Sequence, residues 1–422
     1  MDLDRTSLPP WISGATVDAI TAIQYSKAMP DGRMVHTGPR TRAGVLATIA
    51  DAERMGKGTI AYFPPGFYDV GVGIPLAGYS CQIRGAGAAG TTADPSGTVF
   101  QATTQTGPVF DFTNWVAPQS FQGKVVHEGF HIIGSELADA TKNNAGIRLK
   151  SVGSTIFRDI SIQGTGGPCL EGVTNPGDQV YLCDFERIVF NTPVGAKAND
   201  VPYMVLDSPN SNRFRGIGFR SITPSADVGV SGALVITNNA SYSGWDNVFD
   251  SCWMEYLHAP NGGALISHTG NTALFDGFSF PDCGKETGAT GTAFARFLTP
   301  SVENAGGNTW RGVVPGSGGT ATELDTGVDI RQSRNRVEGV KGYKGYNVTL
   351  ASGVVNNYVS LGGSVSGATD PAVVDNSGNA TNHVFDHTIA KPTVTGSRGS
   401  NAALASLLTA LADYGLIVNS TT

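Results

Sequence analysis

Charge is scarce in this chain of 422 residues: only 15% are Asp, Glu, Lys or Arg, and 28 bases against 35 acids leave a net charge of −7. Without a basic excess or basic clusters, the composition argues against nucleic acid as a partner. Cysteine is scarce as well. Cys81, Cys169, Cys183, Cys252 and Cys283 are odd in number, widely spaced and free of any C-x-x-C, which points to buried free thiols made in a reducing cytosol. No apolar run approaches the roughly 18 residues of a membrane span, and the opening MDLDRTSLPP lacks the basic and apolar blocks of a signal peptide. The expectation is a soluble, unprocessed chain with no membrane insertion. Seven histidines show no H-x-x-x-H or H-E-x-x-H spacing, so no metal site is expected. Nothing resembles a P-loop or a nucleophilic serine elbow, and no cofactor is expected.

Glycine, by contrast, is abundant at 56 residues, which suits a turn-rich β protein. Gly85, Gly87 and Gly90 even spell G-x-G-x-x-G, with Asp111 further on. A dinucleotide site needs a helix directly after that turn. Here Pro95 and Gly97 break any helix, and Thr98 to Thr103 alternates as a strand does. The glycines therefore read as a bend in a first coil.

Internal repeats decide the fold class. The segments NRFRGIGF (212 to 219), NTWRGVVP (308 to 315) and NRVEGVKG (335 to 342) share a frame: Asn, any residue, large apolar, polar, Gly, apolar. Counted from the large apolar residue, the frame starts at His127, Phe157, Phe185, Phe214, Phe249, Phe275, Trp310 and Val337, and more loosely at Tyr358 and Val384. The spacings of 30, 28, 29, 35, 26, 35, 27, 21 and 26 residues predict one β-helix coil per repeat. Its first, fourth and sixth positions should point inward. The third is glycine in five of the eight rungs from His127 to Val337, suiting a left-handed bend. Asn212, Asn247, Asn308, Asn335, Asn356 and Asn382 are placed to stack as a side-chain ladder.

Residues 41 to 56 set Val45, Ile49 and Ala52 on one helical face before Gly56, predicting a cap helix over the exposed end of the solenoid. The run from this helix through GTIAYFPPGFYDV (58 to 70) to IRGAGAAGTT resembles the start of the pectate-lyase-like right-handed β-helix proteins, which include many bacteriophage tailspikes and fibres. The closing TGSRGSNAALASLLTALADYGLIVNSTT (395 to 422) is similar to a C-terminal segment of fibres and minor tail proteins of actinobacterial phages. Ser400 or Asn401 can cap a helix there, with Leu404, Leu408 and Leu411 as an apolar seam and Leu407 beside it. The resemblance implies a homotrimer associating through that seam. Folding back onto the chain's own last coil is the alternative.

Some members of that family cleave polysaccharides with paired carboxylates, and others only bind them. In this sequence Asp250 and Asp276 share the second frame position of consecutive rungs, about 4.8 Å apart if the strands pair. Such closeness would raise one pKa, as a general acid requires. Trp253 and Glu255 fall on outward positions of the same rung, a candidate sugar platform beside a carboxylate. Plainer roles stand beside these. Asp250 can cap a turn, Glu255 can pair with Arg220, Trp253 can lie in a trimer interface, and Arg158, Arg215 and Arg311 make the second position a charged edge.

The expected organisation is an all-β, single-stranded right-handed parallel β-helix: an arm at 1–40 for virion attachment, cap helix and first coil at 41–97, shaft at 98–390, and a C-terminal assembly helix at 391–422. The implied role is a phage tail fibre or spike in the virion, with other virion proteins and host surface polysaccharide as partners. A polysaccharide depolymerase using Asp250, Asp276 or Glu255 is the alternative enzyme, and a capsid-decorating fibre a third reading.

Overall fold

The computed structural model describes residues 34–36, 38–56, 58–77, 81–88, 96–113, 125–173, 179–221, 226–238, 244–298, 306–312, 314–315, 324–340, 346–361, 373–385, 393–396, 401–413 and 418–421. Its strands pair in parallel with partners one coil away in sequence, which makes the chain a parallel β-helix. One sheet of 11 strands runs from Ile74–Ala77 through Met204–Asp207 and Ala264–His268 to Val373–Asp375. The other long sheet carries the repeated frame, as one long strand in rungs such as Thr155–Gln163 and Asp184–Asn191 and as two short strands in others: Arg213–Arg215 with Gly218–Arg220, then Val248–Asp250 with Trp253–Glu255. Strands buried on one face and joined by short corners leave the core as a narrow column between the sheets.

That column is built from the first, fourth and sixth frame positions. Phe214, Ile217 and Phe219, then Phe249, Cys252 and Met254, then Phe275, Phe278 and Phe280 are all buried. Phe157, Phe185, Phe214, Phe249 and Phe275 stack face to face with centroids 4.5 to 5.3 Å apart and ring planes within 8°, and Trp310 continues the stack. Strand spacing fixes this distance, because the same side chain recurs at the same register in each rung. All five cysteines are free and buried. Burial pushes the thiols of Cys169, Cys252 and Cys283 up to about 12, so they behave as small apolar fillers.

The asparagines two residues before the core position do form a ladder, in two runs. Asn212 donates to the side-chain oxygen of Asn247, and Asn308, Asn335, Asn357 and Asn382 continue in the same manner. Asn357, not Asn356, is the member. The core residue of that rung is Val359, paired with Val337, so the frame read from Tyr358 is one residue early. Asn356 instead sits in the left-handed corner just before the ladder, at φ 57°. Between the two runs Ala273 interrupts the series. Asn308 spans the gap by accepting from the Ala273 amide, and the ring of His268 meets the same oxygen at 3.0 Å.

The glycine position is a left-handed bend in all eight rungs. Gly129, Gly216, Gly277, Gly312 and Gly339 have φ of 61 to 73°, and Asp159, Arg187 and Ser251 adopt 51 to 53° in the rungs that lack glycine. Gly277→Ala is expected to lower stability by about 1 kcal/mol through backbone strain alone, because the added Cβ meets nothing closer than 3.8 Å. Thermal unfolding of the two proteins checks it, and an unchanged melting temperature would sink the account.

Helix α1 (Arg42–Met55) begins at Thr41, whose hydroxyl accepts from the Gly44 amide, and stops at Gly56. Val45, Ile49 and Ala52 enter the main core cluster, so this helix closes the first coil. Gly85, the first glycine of the G-x-G-x-x-G run, lies against Gly129 of a neighbouring rung. A Cβ there would fall 2.2 Å from the Gly129 carbonyl oxygen, so close rung packing requires the glycine. A strand at Thr98–Gln101 follows.

At the other end, strands Thr393–Gly396 and Val418–Thr421 pair in parallel, with helix α2 (Ala402–Asp413) in the connection between them. The stretch KPTVTGSRGS (391 to 400) thus contributes a strand. Most of the expected attachment arm, residues 1–33, lies outside the described residues.

Candidate functional site

The second frame position faces outward on the two-strand sheet, and its register is continuous. Arg84, Glu128, Arg158, Glu186, Arg215, Asp250, Asp276, Arg311 and Glu338 lie side by side in successive rungs. Opposite charges face one another at every step but one. Since like charges directly opposite destabilise paired strands, this alternation favours the observed register. Glu128 accepts from both Arg84 and Arg158. The order of signs is present in the repeat itself and legible by reading that one position, arginines and glutamates together, down the frame.

The exception is the pair Asp250 and Asp276, which occupy adjacent rungs in register, as the frame predicts. Each is engaged on its far side. Arg215 Nε lies 3.3 Å from Asp250 Oδ2, and Arg311 Nη1 lies 3.7 Å from Asp276 Oδ2. Asp250 also accepts from the Ser251 hydroxyl at 2.8 Å, while Arg311 turns its Nε to Glu338. Both aspartates are more than 40% exposed. A glycosidic carboxyl pair works as one protonated general acid and one ionised carboxylate set on either side of the bond that breaks. Here the doublet lies on an open face between two arginines.

Glu255 is in register with Arg220 and pairs with it at 3.4 Å. Trp253 is half-buried. Its indole lies over Gly218 of the preceding rung, where a Cβ would be 2.2 Å from the ring, so one face of the platform is spent on the chain itself. Asp250 lies on the strand before the left-handed bend at Ser251, and Trp253 and Glu255 on the strand after it.

In the helix α2 seam, Leu408 is only 8% exposed within a single chain and Leu411 is half-buried, whereas Leu404 is 40% and Leu407 56% exposed. Asn401 caps the helix by accepting from the Leu404 amide.

The class this architecture defines is the single-stranded parallel β-helix. Among solved structures, the catalytic domain of GH87 alpha-1,3-glucanase D1069A in complex with tetrasaccharides is similar in fold, with a TM-score of 0.50 at 10% identity over 85% of this chain and 69% of that one. ORF18 of Geobacillus virus E2 is also similar, with a TM-score of 0.46 at 15% identity over 86% of this chain. The chain spans 62% of the length of that viral protein. No family model matches the sequence, and no curated protein matches it.

Proposed function

We propose that the chain is a phage virion fibre or spike whose β-helix shaft adheres to polysaccharide on the host surface. The observation that carries this reading is the engagement of Asp250 and Asp276 by Arg215 and Arg311 on an exposed face, which suits a surface and not a hydrolytic centre. The resemblance of residues 41 to 112 and 395 to 422 to phage fibre segments supports the virion assignment. Residues 1–40 are the proposed link to other virion proteins. Three chains associate through the C-terminal unit, with the exposed Leu404 and Leu407 at the contact, Leu411 at its edge and Leu408 holding the helix to its own chain. Burying exposed leucines between copies would contribute about 1.5 to 3 kcal/mol each at most.

A second reading, polysaccharide cleavage by Asp250 and Asp276 with Glu255 nearby, is favoured by the one place where two carboxylates meet in the ladder. The glucanase domain that shares the fold is a reminder that such a scaffold accommodates glycan chemistry. Incubation of the purified protein with host envelope polysaccharide separates the two. Adhesion predicts retention of the polymer without release of reducing ends or unsaturated sugars. Release that disappears in Asp250→Asn or Asp276→Asn would establish the depolymerase.

A further inference from the structure

We propose that a ledge formed by Tyr181, Leu182, Asn210, Ser211 and Trp245 binds a neutral polysaccharide strand laid across the rungs. The inference rests on the adhesion reading above and places its contact surface away from Trp253. Tyr181, Asn210 and Trp245 are bridged in parallel register, at the corner four residues before the core positions Phe185, Phe214 and Phe249. In-register residues project to the same side, so two aromatic side chains stand two strand spacings, about 9.6 Å, apart with an amide between them. Tyr181 lies across Gly153 of the rung before, where a Cβ would be 2.4 Å from the ring, so, as with Trp253, one ring face rests on the chain and the orientation is fixed. Trp245 is 49% exposed.

Leu182 supplies an independent observation. It is 47% exposed and held at φ 53°, a left-handed backbone that disfavours a leucine. The same corner is filled by Ser154, Ser211, Asp246, Thr272, Gly307, Arg334 and Asn356 in other rungs, so the conformation belongs to the coil, and Leu182 is the one aliphatic side chain placed there. Burial does not account for an aliphatic side chain at this corner, and its exposure beside an exposed Trp245 makes an apolar surface.

The chemistry of the ledge selects the ligand. A pyranose presents a C–H face that packs on aromatic rings and a hydroxyl edge that bonds to amides and hydroxyls, and the ledge offers Tyr181, Leu182 and Trp245 for the first and Asn210 and Ser211 for the second. Among the described residues within three positions of the ledge in sequence, the charged ones are Asp184, Asp207, Arg213 and Asp246, three acids to one base. That balance opposes a polyanionic glycan.

The test uses the full-length protein on an array of purified bacterial envelope polysaccharides, neutral and acidic. Wild type should be retained on neutral polymers, Trp245→Ala and Leu182→Asn should each weaken retention at least tenfold, and Trp253→Ala should bind as wild type. Asn suits the left-handed corner, so Leu182→Asn keeps its melting temperature and separates binding from folding. Full retention by Trp245→Ala and Leu182→Asn overturns the ledge while leaving adhesion standing, as does loss confined to Trp253→Ala. Retention on acidic polymers alone overturns the choice of a neutral ligand. No retention of wild type on any polymer overturns both the ledge and the adhesion reading.

Discussion

Arg296→Met should destabilise the protein by about 3 to 5 kcal/mol, the range for breaking a buried ion pair by removing one partner. Arg296 projects outward from the 11-stranded sheet, yet it is only 8% exposed. Its Nε donates to Asp329 Oδ2 at 2.8 Å, its Nη1 to the Gly262 carbonyl at 2.5 Å and its Nη2 to the Gly291 carbonyl at 2.7 Å. One guanidinium therefore ties two corner loops to the sheet, and its planar fork reaches three acceptors at once. Methionine fills similar space but leaves both carbonyls without that donor. Arg331 still pairs with Asp329 at 2.9 Å, which limits the loss on the acidic side. Lysine, a single point charge, should recover less than half of the deficit. Thermal or urea unfolding reads the difference, and a change below about 1 kcal/mol would show that the loops are held by other contacts.

Acidification from pH 7 to pH 5 should remove roughly 4 kcal/mol of stability through two histidines, about 2 kcal/mol each. His127 is buried between Phe112 and Phe157, and burial lowers its pKa to about 3. His268 is buried against Phe275 and Phe297 and is lowered to about 4, again by burial first, with its bond to Asn308 acting in the opposite sense. Unfolded histidine titrates near 6.5, so below that pH the unfolded chain binds protons the folded chain cannot. Stability is complete above about 6.5 and falls as pH drops toward the folded values. The carboxylates lowered by arginine partners, Asp159 and Glu338, act in the same direction but in a lower window. Their contribution is lost only as pH falls below the ordinary carboxylate range toward their folded values. Melting temperatures between pH 7 and pH 5 should thus fall, and His127→Phe, which extends the aromatic stack, should flatten about half of that slope. An unaltered slope in His127→Phe would assign the acid sensitivity elsewhere.

The rung frame was legible because a β-helix repeats its demands. Each coil must supply an apolar residue at the same register, so Phe157, Phe185, Phe214, Phe249 and Phe275 recur in sequence before they stack in space. The proximity of Asp250 and Asp276 was legible for the same reason. The left-handed corner before the asparagine ladder was not, because Ser154, Leu182, Ser211, Asp246, Thr272, Arg334 and Asn356 carry no common side-chain signature. That corner is imposed by the bonds on either side of it, such as Ser211 donating its amide to the Trp245 carbonyl. Asn356 and Asn357 are indistinguishable in sequence for the same reason, since only the fold shows which of two adjacent asparagines faces inward.

The sequence by itself determined the solenoid, its cap and the column of its core, since burial at a fixed period needs only residue type and spacing. Only the tertiary structure decided which arginine holds each aspartate, that Trp253 lies over Gly218, that Arg296 clamps Gly262 and Gly291, and that Tyr181 and Trp245 share a ledge. The frame puts such residues in register, but side-chain torsions and the course of the corner loops, which no period fixes, decide which of them touch.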